Sequence, residues 1–226
     1  MSRGELSGSA SIAAFDGIYR QAIAALSIFL KDLEPDEARL YRLWLERGYG
    51  EFQSWQRKPE LEEYLRIASA NRFKALQVLS FAYLHLAYDF PRTLAQLFQE
   101  QLPLSREQYR RVFVEASSTF IGIAATSCYE RATAGVFATL FNVLPGGRFA
   151  VDTTCNWLLA LRCSSWMAAE TLADSDNRTA LEERLLQGIQ HAAGRAFRHH
   201  NPLHWMRSLP FAHELVQESR SIVTPI

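Results

Sequence analysis

The stretch FAYLHLAYDFPRTL, residues 81–94, places a histidine and an aspartate in an otherwise apolar helical pattern. His85 and Asp89 are four residues apart, so on a helix they share a face and lie within reach of a hydrogen bond. A buried carboxylate is costly unless it is paired, and an imidazole can be its partner. The same pairing orients the ring, as general acid/base catalysis requires. The spacing therefore predicts a catalytic pair, or a structural pair that satisfies polar groups in the core.

Pro91 follows this pair after two residues. A proline has no N–H, and its ring crowds the carbonyl four residues back, which is that of Ala87. We expect the helix 72–90 to end or kink at this point and to free that carbonyl beside His85 and Asp89. Helix defects of this kind often lie next to functional sites, so the proline favours the functional interpretation.

A second set of polar and large aromatic residues lies in the stretch 151–170, VDTTCNWLLALRCSSWMAAE. Arg162 is hard to bury without a carboxylate partner, and Asp89 or Asp152 is the candidate. An arginine, an asparagine and a His–Asp pair between aromatic walls suit a mostly apolar small molecule with a polar end. The alternative is an amphipathic helix with tryptophans in the core and an arginine in a structural salt bridge. The candidate substrate-binding residues are Tyr83, Tyr88, Asp152, Asn156, Trp157, Arg162 and Trp166.

The histidines near the C-terminus could suggest a metal site. His200 and His204 have the helical spacing of a metal-binding pair. Pro202 between them disfavours a regular helix, and the chain has no HExxH or ExxH motif, so a surface tail is the favoured interpretation. The chain also lacks GxGxxG, P-loop, GxSxG and CxxC motifs, and we expect no organic cofactor.

A divalent metal nevertheless stays an alternative for the first site. His85, Asp89 and Asp152, together with a C-terminal histidine, would supply its ligands. Mixed carboxylate and imidazole ligands suit zinc, iron or manganese.

The composition sets limits on the class of protein. The chain has 226 residues, 48% of them hydrophobic, and a formal net charge of zero. We therefore expect a full hydrophobic core and no nucleic-acid partner. No secretory signal and no apolar run of membrane-spanning length is found, which predicts a cytoplasmic protein without membrane insertion. Cys128, Cys155 and Cys163 form no CxxC pair, and we expect them to be small buried packing residues.

The periodicity is helical nearly everywhere, without sustained strand-like alternation or an internal repeat. We predict an all-α, single-domain multi-helix bundle over residues 11–226, after a disordered N-terminus at 1–10. Gly48 and Gly50 are expected to interrupt the chain after the second helix. Beyond a first helix starting at residue 11, helices are predicted at 36–45, 59–70, 72–90, 148–173 and 178–199, with one opened by a capping box, SREQ, at 105–108.

These motifs resemble a helical protein family that is catalogued only as domain-of-unknown-function family 5995. The resemblance covers about residues 75–175 and departs from the family where Tyr83 and Ala87 stand in place of asparagines. It implies that the polar residues of two separate helices converge, and it adds Tyr109 to the candidate binding residues. The family name brings no established reaction. The matching residues are His85, Asp89, Pro91, Tyr109, Asn156, Trp157, Arg162, Trp166 and Ala169.

The leading hypothesis is a small-molecule enzyme of specialised metabolism. Its reaction would be a cyclisation, an isomerisation, a lyase reaction or a hydrolysis. His85 is the general acid/base, Asp89 orients it, and Arg162 with Asn156 binds or polarises a carbonyl or carboxylate. The metal-dependent enzyme is the second hypothesis. A non-enzymatic helical ligand-binding or scaffold protein is the third. The neutral, apolar composition is also compatible with a homodimer through an exposed helix face.

Overall fold

The structure is a computed structural model that describes residues 12–21, 23, 24, 26, 30, 31, 33–70, 74–100, 104–114 and 161–196. These residues form helices and the turns between them, and they contain no strand, which confirms the all-α prediction. The expected disordered N-terminus and the C-terminal histidines from His199 onward lie outside the described residues.

The described α-helices are α1 (residues 12–21, with 23, 24 and 26 also helical), α2 (Pro35–Ser54), α3 (Glu62–Ala70), α4 (Lys74–Leu84), α5 (Phe90–Gln99), α6 (residues 106–114), α7 (residues 161–173) and α8 (Arg178–Ala196). Two 3₁₀ turns, Trp55–Arg57 and Pro59–Leu61, connect α2 to α3, and a π-helical turn, His85–Asp89, connects α4 to α5.

Helix α2 is twice as long as the periodicity suggested. It begins at Pro35, a residue whose fixed φ suits the first helical turn, and it continues to Ser54. The expected interruption at Gly48 and Gly50 is therefore wrong. A glycine inside a helix costs only about 1 kcal/mol relative to alanine. Burial of Phe52 in the last turn of α2 can offset that cost, since fully burying a phenylalanine contributes roughly 1.5–3 kcal/mol.

The capping box at the start of α6 is confirmed. The Gln108 backbone N–H donates to Ser105 Oγ at 3.2 Å, and the Ser105 backbone N–H donates to Gln108 Oε1 at 2.8 Å. These reciprocal bonds satisfy donors that the first turn of a helix otherwise leaves without partners. The loop predicted at residues 174–177 is also confirmed between α7 and α8.

The helix that carries His85 does not end at Pro91. It continues through the π-helical turn and α5 as far as Gln99, with Pro91 in the first turn of α5. Helix α2 packs against α5 and the π turn, and α8 packs against α3 and the π turn. The turn is consequently enclosed by other helices, and all five of its residues, His85–Asp89, are buried.

Candidate functional site

The π-helical turn explains how Pro91 is accommodated. Within this turn, the Phe90 N–H donates to the His85 carbonyl, five residues back. The next bond in the same register would run from position 91 to the Leu86 carbonyl, but a proline has no N–H. The Ser165 hydroxyl of α7 donates to the Leu86 carbonyl instead. The Leu86 carbonyl, to which position 91 cannot donate in this register, is therefore satisfied from α7.

This hydroxyl joins the two helices that the sequence singled out. Ser165 is buried, and its hydroxyl also contacts the Leu161 carbonyl of its own helix at 2.8 Å. Its contact with Leu86 places α7 directly on the π turn. The described part of the second helix therefore packs on the helix that carries His85.

His85 and Asp89 form the hydrogen-bonded pair that their spacing predicts. His85 Nδ1 lies 3.1 Å from Asp89 Oδ2, and the side chains are 2% and 0% exposed. Within the described part of the chain, His85 Nε2 and Asp89 Oδ1 have no hydrogen-bond partner. Buried polar atoms are nearly always satisfied, so an atom of this kind is a candidate contact for a ligand. Asp89 therefore holds the ring at Nδ1, and Nε2 can contact a ligand.

Trp55 is a third member of this group that the sequence analysis missed. Its indole Nε1 donates to Asp89 Oδ2 at 2.7 Å, the same oxygen that contacts His85. Trp55 lies directly after α2, in the first 3₁₀ turn, and is 1% exposed. No motif or spacing points to this residue, because 34 positions separate it from its partner.

Aromatic rings enclose the imidazole of His85. The Tyr19 and Phe90 rings each lie 4.9 Å from it between centroids, and the Phe15 ring lies at 6.1 Å. Burial is the main reason that the pKa of Tyr19 lies well above its ordinary value, so its phenol stays protonated. A Cβ atom added at Gly48 would lie 3.5 Å from His85 Cε1, an ordinary van der Waals contact. Among the residues that the structure describes, the groups around His85 are therefore mainly aromatic, with the Asp89 carboxylate beside them.

Arg162 is fully buried among aromatic rings. Its Cζ lies 4.9 Å from the Trp44 ring, 4.8 Å from Phe90 and 5.2 Å from Phe113. Stacking of this kind suits the planar, weakly hydrated guanidinium group. Burial raises the pKa of Tyr41, and the positive charge of Arg162 acts in the opposite direction. The guanidinium group thus lies against π faces, with the Tyr41 phenol nearby.

The expected ion pair between Arg162 and Asp89 is not formed. Asp89 uses Oδ2 for Trp55 and His85, and Oδ1 has no hydrogen-bond partner among the described residues. The second predicted partner, Asp152, lies outside the described residues. Phe90 nevertheless contacts both His85 and Arg162, so the two groups are neighbours across one ring.

The other candidate binding residues fall into different environments. Tyr83 is fully buried. Trp166 and Tyr109 lie 5.1 Å and 5.3 Å from the Phe98 ring, and Trp166 also contacts Phe113, which connects this cluster to Arg162. Asn156 and Trp157 lie outside the described residues, as Asp152 does.

Tyr88 belongs to an ionic cluster and has no ring contact with His85 in the described part of the chain. The Arg92 guanidinium lies 4.7 Å from its ring centroid, and Arg92 pairs with Glu182 at 2.9 Å and with Glu51 at 3.3 Å. Burial, as the largest effect, raises the pKa of Tyr88 to about 12. Tyr88 was expected to line the His85 pocket, but the described contacts of its side chain are with this ionic cluster.

The metal alternative has no complete ligand set among the residues that the structure describes. No group of three or more histidine, cysteine, aspartate and glutamate side chains is found there. Asp152 and the C-terminal histidines, which the hypothesis needs, lie elsewhere in the chain. Cys163 is exposed on α7, so the expected burial of this cysteine is wrong.

The comparisons with known proteins give no match. No protein-family model matches the chain, and no curated protein and no solved structure is found to be significantly similar. The resemblance to family 5995 therefore stays a prediction. Among the described helices, none has the length and apolar character needed to cross a membrane.

Proposed function

We propose that this chain is a small-molecule enzyme in which His85 transfers a proton and Asp89 orients it. The observation that carries the proposal is the state of the His85 ring, which is held at Nδ1 by Asp89 and leaves a buried Nε2 without a partner from the described chain. A general base needs both an orienting partner and an available nitrogen. The pair also lies on a π-helical turn, a distortion that is frequent at functional sites.

Arg162 would serve the polar end of the substrate. It contacts the same Phe90 ring as His85, and it carries a buried positive charge. A carbonyl or carboxylate brought near this charge would gain electrostatic stabilisation in a site of low polarity. Because the surroundings are aromatic, the remainder of the substrate would be apolar. Cyclisation, isomerisation, elimination and hydrolysis all include a proton transfer of the kind that His85 would provide.

Entry of a substrate requires movement of the helices around the pair, because His85 is only 2% exposed. Lid and domain movements of this type are common in enzymes that exclude water from the reaction. The same burial favours a second candidate function, a helical ligand-binding or scaffold protein whose His–Asp pair stabilises the core. The enzyme needs His85 Nε2 to exchange a proton with the substrate, whereas the ligand-binding or scaffold protein does not.

The test is His85→Asn. Asparagine retains an N–H group that can donate to Asp89 but removes Nε2. His191→Asn is the matched control, since His191 is exposed on α8. Both variants and the wild-type protein are incubated with a protein-free metabolite extract of the source cells, and the compounds are compared by mass spectrometry. Circular dichroism and thermal melting establish that each variant is folded.

We expect at least one compound to be converted by the wild-type protein and by H191N but not by folded H85N. A removed general base usually lowers the rate about 100- to 10,000-fold. Conversion by H85N at the wild-type rate would contradict the proposal. If no sample converts any compound and H85N is much less stable than H191N, the pair is structural and the second candidate function is favoured.

A further inference from the structure

Asp89 Oδ2 lies within hydrogen-bond distance of Trp55 Nε1 and of His85 Nδ1. Only for the bond with Trp55 is it certain which group is the donor. An indole N–H is always a donor, so Trp55 donates to Asp89 in every protonation state of the site. An imidazole nitrogen can donate or accept, and the 3.1 Å distance between His85 Nδ1 and Asp89 Oδ2 does not distinguish the two cases. The state of the carboxyl group decides which case applies.

The indole bond favours the ionised carboxylate. A hydrogen bond to a charged acceptor is stronger than one to a neutral acceptor, so the Trp55 N–H stabilises Asp89 more when Asp89 carries its charge. An ionised carboxylate can only accept hydrogen bonds, and His85 Nδ1 must then carry the proton. In a neutral ring, Nε2 has the free lone pair. The geometry of Trp55 thereby determines which nitrogen of His85 acts as a base.

We propose that Trp55 is the positioning residue of this site and that it fixes His85 as the tautomer with the proton on Nδ1. A ligand at Nε2 must then bring the proton itself, in an O–H, an N–H or an acidic C–H bond. In the transfer, the bond between the ligand atom and its hydrogen breaks, an Nε2–H bond forms, and the bonding electron pair stays on the ligand. The imidazolium that results lies against the Asp89 carboxylate. This choice of ligand rests on the proposed function, whereas the tautomer can be measured without a substrate.

The experiment measures the His85 tautomer by nuclear magnetic resonance of protein labelled with ¹⁵N-histidine, with His85→Asn to assign the signals. Trp55→Phe removes the indole donor and retains an aromatic ring. Trp44→Phe is the matched control, because Trp44 is 2% exposed and its Nε1 has no hydrogen-bond partner in the described part of the chain. Both substitutions remove an indole from the core, but only one changes the contacts of Asp89.

We expect a single Nδ1–H tautomer in the wild-type protein and in W44F. In W55F the ratio of the Nδ1–H to the Nε2–H form should fall by about tenfold or more, the factor that corresponds to one charge-assisted hydrogen bond. An Nε2–H tautomer in the wild-type protein would overturn the proposal without any variant, which keeps the test decisive if W55F does not fold. Equal tautomer ratios in W55F and W44F would also overturn it. Either result leaves the H85N conversion assay unaffected, so the two proposals fail separately.

Discussion

The contact between Ser165 and the π-helical turn predicts a specific loss of stability in Ser165→Ala. The variant removes the hydroxyl, whose single proton lies between the Leu86 and Leu161 carbonyls. Leu161 lies in an ordinary α-helical turn, whereas the carbonyl of Leu86 faces a proline in the π register and has no backbone donor from that position. The substitution therefore leaves a buried acceptor without its partner.

The magnitude follows from two opposing effects. Leaving a buried carbonyl unsatisfied costs about 1–3 kcal/mol. Alanine is a better helix former than serine and recovers about 0.5 kcal/mol within α7. We expect the free energy of unfolding to fall by about 0.5–2.5 kcal/mol. For a chain of this size, each kcal/mol lowers the melting temperature by about 2–4 °C.

The assay is chemical denaturation followed by circular dichroism, with Thr171→Ala as the matched control. Thr171 lies in the same helix, and its hydroxyl donates to the Met167 carbonyl in the preceding turn at the helix surface. Removing that hydroxyl should leave stability unchanged or raise it by a few tenths of a kcal/mol. If S165A is as stable as T171A, the hydroxyl does not satisfy the Leu86 carbonyl and the explanation of the π turn is refuted.

Three further substitutions test helix α2 beside His85 and the ionic cluster around Tyr88. Gly48→Ala and Gly50→Ala should each raise the free energy of unfolding by up to about 1 kcal/mol, because alanine suits a helix interior better than glycine. The added Cβ at Gly48 would make contacts of 3.4–3.5 Å with its neighbours. If urea denaturation shows that G48A alone is less stable than the wild-type protein, α2 packs more tightly on His85 than the structure indicates. Burial raises the pKa of Tyr88 to about 12 in the folded protein, so its contribution to stability is complete below the ordinary pKa of 10.0 and is lost as the pH rises towards 12. Tyr88→Phe should remove this part of the alkaline destabilisation, and identical pH profiles for the two proteins in urea denaturation would contradict the assignment.

Local patterns in the sequence were sufficient for much of the fold. The helical periodicity, the SREQ capping box and the spacing of His85 and Asp89 depend on residues three to five positions apart, and all three predictions are confirmed. The predicted break at Gly48 failed for a different reason. The local preference of glycine is worth about 1 kcal/mol, and tertiary packing of the last turn of α2 outweighs it.

The rest of the site depends on contacts between distant parts of the chain. Trp55 and Asp89 are 34 residues apart, and Leu86 and Ser165 are 79 residues apart, so no spacing rule connects them. For Arg162, the sequence argument required a carboxylate partner and named Asp89 or Asp152. The structure forms no ion pair with Asp89, and Asp152 lies outside the described residues. Aromatic faces surround the guanidinium, and no sequence pattern distinguishes those rings from other core residues.

Pro91 and Ser165 can be tested together, because one removes a donor and the other replaces it. In Pro91→Ala the backbone regains an N–H that can donate to Leu86, or to Ala87 if the helix returns to its α register. In both cases the Ser165 hydroxyl is no longer the donor that the turn requires. Ser165→Ala should therefore destabilise the P91A protein less than the wild-type protein, by at least about 0.5 kcal/mol in a double-mutant cycle. Additive effects of the two substitutions would show that the serine does not compensate for the proline, and the proposed reason for the π turn beside His85 would be lost.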